Sequence, residues 1–184
     1  YDWDGDGVAD LVFIVYAYKG EADSYIKNTI WPHMYNYKLM TDEPLYLNGV
    51  EIDTYACSNE IQGGGGICGI GTFCHEFSHV LGLPDFYDAD YEKNGSSNHP
   101  DEWSVMAGGS YNNDSRTPVA YTLAERLLLG FTEEQTITTR GTYTLDAITS
   151  SNNGYVMPSA NEDEMFTFEN RQQVKWDAYL PGHG

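Results

Sequence analysis

The 184-residue chain is poor in basic side chains, with 9 Lys and Arg against 28 Asp and Glu and a formal net charge of -19. A surface of that sign repels phosphate backbones and anionic headgroups, which argues against nucleic acid and anionic membrane as partners. Cysteine is also scarce. Three thiols are too few for a disulfide scaffold and do not match a cysteine-based zinc site. One bridge, Cys57 to Cys68, is left open by the sequence, while Cys74 reads as a buried free thiol. Long apolar runs are missing as well. Nothing approaches the roughly 18 to 20 apolar residues of a membrane span, and no basic-then-apolar leader is present. What remains is 41% hydrophobic and 14% aromatic, the composition of a folded globule long enough for one domain with its own core.

The chemistry concentrates in residues 67–85, ICGIGTFCHEFSHVLGLPD. Ile67, Ile70, Cys74, Phe77 and Leu81 recur at three- and four-residue spacing, which predicts a helix with one apolar face. On such a helix His75 and His79 differ by only about 40° around the axis, so both imidazoles can reach one ion, on a side of the helix other than its apolar face. Gly82 supplies a left-handed stop and Pro84 prevents resumption, a turn that carries Asp85 back toward the histidines. Two imidazoles and a carboxylate form an open three-ligand set suited to zinc, with a position left for water. Zinc in such a site brings the pKa of a water toward about 7, and Glu76, between the histidines, is placed to take that proton as general base.

The pattern His75-Glu76-x-x-His79-x-x-Gly82-x-x-Asp85 resembles the metzincin clan of zinc peptidases. Within it, FCHEFSHVLGLPDFYD resembles the secreted immune inhibitor A-like metallopeptidases. WSVMAGGSY fits the same resemblance, which implies that Met106 lies in a Met-turn and forms an apolar floor beneath the metal. Some metzincins place a tyrosine two residues after that methionine, where its hydroxyl stabilises an oxyanion. Gly108 occupies that position here, leaving Tyr111 as the candidate. In zinc peptidases outside the metzincins the third ligand is a glutamate on a separate downstream helix. Glu125 is the available one, and Gly82 with Asp85 argue against it.

The opening DWDGDGVAD places Asp2, Asp4 and Asp6 at alternate positions, then Gly7, the Val8 carbonyl and Asp10. This is the first part of an EF-hand-type calcium loop. The twelfth position is Phe13 rather than glutamate, and LVFIVYAY reads as a buried strand, so the expectation is a structural calcium loop at the start of a strand and not an EF-hand. Asp88, Asp90 and Glu92 repeat the alternate spacing, where solvated loop charge is an equal reading.

Leu45 to Ala56 contains Asn48-Gly49 between two extended runs and predicts a hairpin. The metzincin resemblance implies that its second strand, leading toward the metal helix, receives substrate as an added antiparallel strand. His33 reads as a packed or hydrogen-bonded histidine. Gly63 to Gly66 form a loop, without the lysine and hydroxyl of a phosphate-binding loop. Thr117-Pro118 predicts the start of a helix with Val119, Leu123 and Leu127 on one stripe and Gly130 past its end. Short strands are expected near 135–146, 154–157 and 164–169.

The expectation is therefore a single α+β, zincin- or metzincin-like catalytic domain over 1–184, with a mixed sheet and an active-site helix. The chain starts without methionine in a candidate ion loop and ends in RQQVKWDAYLPGHG, which resembles a family segment that runs on; it reads as truncated at both ends. The implied function is a secreted or extracellular zinc endopeptidase acting on protein or peptide substrates, with the cell surface and periplasm as other open compartments. The alternative is a calcium-dependent binding or adhesion module that keeps a peptidase fold without turnover. Oligomeric state is not legible.

Overall fold

The structure, a computed structural model, describes residues 1–90, 93 and 98–184. The chain divides into two compact units, Tyr1–Gly82 and Leu83–Gly184. No helix among the described residues is long and apolar enough to cross a membrane.

In the first unit the β-branched and aromatic run after the acidic loop becomes the strand its composition predicts, β1 (Val12–Lys19), but not the buried one expected, since Ile14, Val15 and Tyr18 are exposed. Two short helical turns, α1 (Glu21–Ser24) and α2 (Tyr37–Thr41), flank β2 (His33–Asn36). A hairpin follows, β3 (Leu45–Leu47) paired antiparallel with β4 (Val50–Ile52). Its turn is Asn48-Gly49, both with positive φ, 52° and 84°, the backbone twist that two-residue hairpins need. The long strand β5 (Thr54–Ile61) lies at the centre of a three-stranded mixed sheet, order β1-β5-β2. It runs parallel to β1, with Val12 opposite Tyr55, and antiparallel to β2, with His33 opposite Cys57. Four consecutive β5 residues, Ala56 to Asn59, are buried, as expected of a strand covered on both faces.

That interior position corrects the reading of the pre-helix strand as a substrate-receiving edge. The hairpin's second arm breaks at Asp53. Beyond the break, β1 occupies one side of β5; on the other, β2 covers its first half and Cys68 donates to the Glu60 carbonyl at 2.9 Å. Ile67 does not belong to the helix its spacing predicts either. It forms an isolated bridge with Ile61 after a turn in which Gly65 and Gly66 hold φ of 93° and 92°. The helix α3 starts only at Gly71 and ends at Val80. It packs on β5 and β2, with Phe73 against Phe13 of β1 at 4.4 Å between ring centroids.

All three cysteines are free thiols. Cys57 faces the His33 ring, Sγ to Nδ1 at 3.4 Å, and Cys68 accepts from the Asn59 amide at 3.0 Å. His33 is the hydrogen-bonded histidine expected, with Nδ1 on the Trp31 carbonyl and Nε2 on the Tyr55 hydroxyl.

The second unit contains 3-10 turns at Asp101–Trp103 and Gly108–Tyr111, helix α4 (Leu123–Leu128), and a hairpin of β6 (Tyr155–Pro158) with β7 (Met165–Phe168). Val105, Met106, Val119, Leu123 and Val156 are buried there. The helix begins five residues later than Thr117 suggests, because Thr122 and Glu125 form a reciprocal capping box. The segment 135–146 is not a strand; it contributes one isolated bridge, Thr136 to Val156. Arg171 is buried and grips Asp177 with two bonds, Nε to Oδ2 at 2.8 Å and Nη2 to Oδ1 at 2.7 Å. Glu92 of the second acidic set lies outside the described residues.

Candidate metal centre

The helix α3 is ten residues long and its register decides which side chains face inward. Glu76 and Ser78 are buried while His75 and His79 are half-buried. Ser78 returns its hydroxyl to the Cys74 carbonyl at 2.6 Å, which satisfies the polar atom inside the packed face. The imidazoles of His75 and His79 stand edge to face with centroids 4.8 Å apart, the proximity that i and i+4 positions create. Gly82 then takes φ of 103° and donates to the His79 carbonyl at 3.0 Å, so the helix stops where the glycine was expected to stop it.

Along this run of chain, one ligand atom from each of His75, His79 and Asp85 lies within 4.8 Å of the others. Two imidazoles and a carboxylate at that spacing suit zinc by donor chemistry. Glu76, 6% exposed, follows the first histidine on the same helix. Burial pushes the Cys74 thiol above its ordinary value, which disfavours the thiolate a nucleophile needs. The same cause raises the Cys57 thiol, opposed by its His33 contact and reinforced by the Glu76 charge.

Met106 is fully buried in the second unit. Its carbonyl accepts from the Phe86 amide at 2.9 Å, directly after Asp85 in the chain. The turn that carries it is compact: Gly109 donates to the Ser104 carbonyl at 2.8 Å, and a Cβ on Gly109 would meet that oxygen at 2.6 Å, so only glycine fits. Tyr111 ends the adjoining 3-10 turn with its side chain exposed.

Glu125, the rival ligand, is fully buried and engaged elsewhere. Its Oε1 accepts the Ser104 hydroxyl at 2.6 Å and the Met106 amide at 3.2 Å; its Oε2 accepts the Thr122 amide and hydroxyl at 2.6 and 2.8 Å. Sequence reading missed this role, although Thr122-x-x-Glu125 carried the capping-box signal.

In the opening loop, ligand atoms of Asp2, Asp4 and Asp6 also lie within 4.8 Å of one another. Asp10 does not join them in that group. Its Oδ2 accepts the Trp3 amide at 2.7 Å. Val8 bridges to Glu51, and its amide donates to Asp6 Oδ1 at 2.8 Å. The Asp2 carboxylate accepts the Gly5 and Gly7 amides.

The immune inhibitor A peptidase M6 catalytic domain matches residues 2–125. The pre-pro-metalloprotease PrtV of Vibrio cholerae is 31% identical over 128 residues, covering 60% of this chain and 13% of that protein. Immune inhibitor A of Bacillus thuringiensis is 30% identical over 116 residues, 58% of this chain and 16% of that protein. A putative secreted metallopeptidase of Arthroderma benhamiae is 43% identical over 44 residues, 24% of this chain and 6% of that protein.

Proposed function

The chain belongs to the immune inhibitor A peptidase M6 family, and from that premise we propose that it is the catalytic domain of a secreted zinc endopeptidase with a metzincin-like fold. One observation carries the reading: the ligand atoms of His75, His79 and Asp85 gathered within 4.8 Å, with the Glu76 carboxylate buried on the same helix. The family match over residues 2–125 takes in parts of both units, which favours reading 1–184 as one catalytic domain rather than one for each unit.

Zinc, when held by His75, His79 and Asp85, supplies a Lewis acid that polarises the scissile carbonyl and acidifies water. The protein's own part is proton handling. Glu76 takes the proton of the attacking water and returns it to the leaving amine. Direct attack by water needs no covalent acyl-enzyme. Met106 serves as the apolar floor, and the exposed Tyr111 hydroxyl is the candidate to steady the oxyanion. Asp2, Asp4 and Asp6 hold a structural calcium. Extracellular location fits the relative described as a putative secreted metallopeptidase.

Casein digestion tests the proposal. Activity is expected to vanish on treatment with a zinc chelator and to return on adding zinc but not calcium. The acidic group Asp2, Asp4 and Asp6 favours a second reading, a calcium-dependent binding module. Intact casein after incubation with folded, zinc-loaded protein selects that reading instead.

A further inference from the structure

Glu125 does more than cap α4. Capping needs only one carboxylate oxygen near the first turn and no burial, and Ser, Thr or Gln at exposed helix starts satisfy similar demands. Here the carboxylate is fully buried, a position that costs several kcal/mol unless every lone pair is used. Its second oxygen reaches a turn 19 residues earlier in the chain, accepting the Met106 amide at 3.2 Å and the Ser104 hydroxyl at 2.6 Å. Ser104 Oγ shares that same amide at 3.0 Å. On the other side of the Met106 peptide unit, the carbonyl accepts the Phe86 amide at 2.9 Å. Phe86 is covalently next to Asp85. A continuous path of hydrogen bonds thus runs from Glu125 through Met106 to the backbone of the third ligand.

We propose that Glu125 is a positioning residue that sets the backbone of Asp85 through Met106, so that the third metal ligand is pre-placed before the ion arrives. The proposal rests on the zinc-site reading given above. Its physical basis is that outer partners orienting a ligand typically account for about 10- to 100-fold in metal affinity. Glu125→Gln preserves volume but presents an amide nitrogen to either Thr122 or Met106, donor against donor.

Two readouts in Glu125→Gln separate this role from mere capping, with Thr122→Ala as the cap-loss control. In metal-free protein, hydrogen exchange at the Phe86 amide is expected to accelerate at least tenfold relative to the Val156 amide, which bonds to the Gln135 carbonyl at 2.9 Å. By chelator competition, zinc affinity is expected to fall about tenfold or more. Thr122→Ala should lower the melting temperature while moving neither readout more than about twofold. Unchanged Phe86 exchange in Glu125→Gln, or equal losses in both variants, overturns the proposal. Should Glu125→Gln fail to fold, Ser104→Ala removes the hydroxyl that shares the Met106 amide and is judged by the same readouts. A wild type that binds no zinc overturns the metal-site reading, whereas the exchange readout judges the path from Glu125 to Phe86 independently of metal.

Discussion

The rings of His75 and His79 meet edge to face with their centroids 4.8 Å apart on consecutive turns of α3. Neither is fully buried, and one ring nitrogen of each lies within 4.8 Å of an Asp85 carboxylate oxygen. His79→Ala is therefore expected to drop zinc content from about one equivalent to background, because two ligands alone do not hold the ion tightly. Metal analysis after dialysis checks this. Retention of a full equivalent by His79→Ala would remove these residues from the site.

The Arg171–Asp177 pair predicts stability rather than activity. Both groups are buried, and Asp177 also accepts the Ala120 amide at 3.0 Å. Desolvation opposes the Arg171 charge, but the bonds to Asp177 and the Glu169 charge overcome it and raise the guanidinium above its ordinary value. Asp177→Asn leaves that charge partly uncompensated and should cost about 3 to 5 kcal/mol in urea denaturation. Zinc content at low urea should not change.

Much of the candidate site's geometry was legible because its determinants are local. The four-residue step between His75 and His79 and the stop at Gly82 are consequences of helix geometry that a short window contains. Glu125 was legible only as a nearby carboxylate: its capping box sits within four residues, but its bonds to Ser104 and Met106 depend on tertiary placement. The interior position of β5 was hidden for the same reason. Alternation predicts a strand, whereas its neighbours β1 and β2 come from segments far upstream. Apolar spacing alone extends the helix of His75 and His79 to Ile67, because spacing ignores backbone conformation. Gly65 and Gly66 adopt positive φ and turn the chain into a bridge instead.

Alkaline pH should destabilise the fold. Burial is the leading cause that raises the thiols of Cys57, Cys68 and Cys74 and the phenols of Tyr16 and Tyr55. The unfolded chain gives up these protons first, so above about pH 8.5 it binds fewer protons than the native state and stability falls as pH rises. Melting temperatures measured from pH 7 to pH 10 should decline over the upper half of that range. A flat profile contradicts the burial of these groups.

Calcium should raise the melting temperature through the Asp2, Asp4 and Asp6 group. At tenfold excess over its dissociation constant a single site contributes about 1.4 kcal/mol. The shift should be absent in Asp4→Ala, and an unchanged melt in wild type removes the calcium site from the account.

Glu76 as general base is the central claim, and a mass-spectrometric scan of a peptide library tests it most directly. Wild type and Glu76→Gln are loaded with zinc, shown to hold equal metal, and incubated side by side. Wild type is expected to yield pairs of fragments whose masses sum to the parent plus one water, while Glu76→Gln yields about 10²- to 10⁴-fold less, the usual share of a general base. Equal cleavage by both proteins would contradict the mechanism.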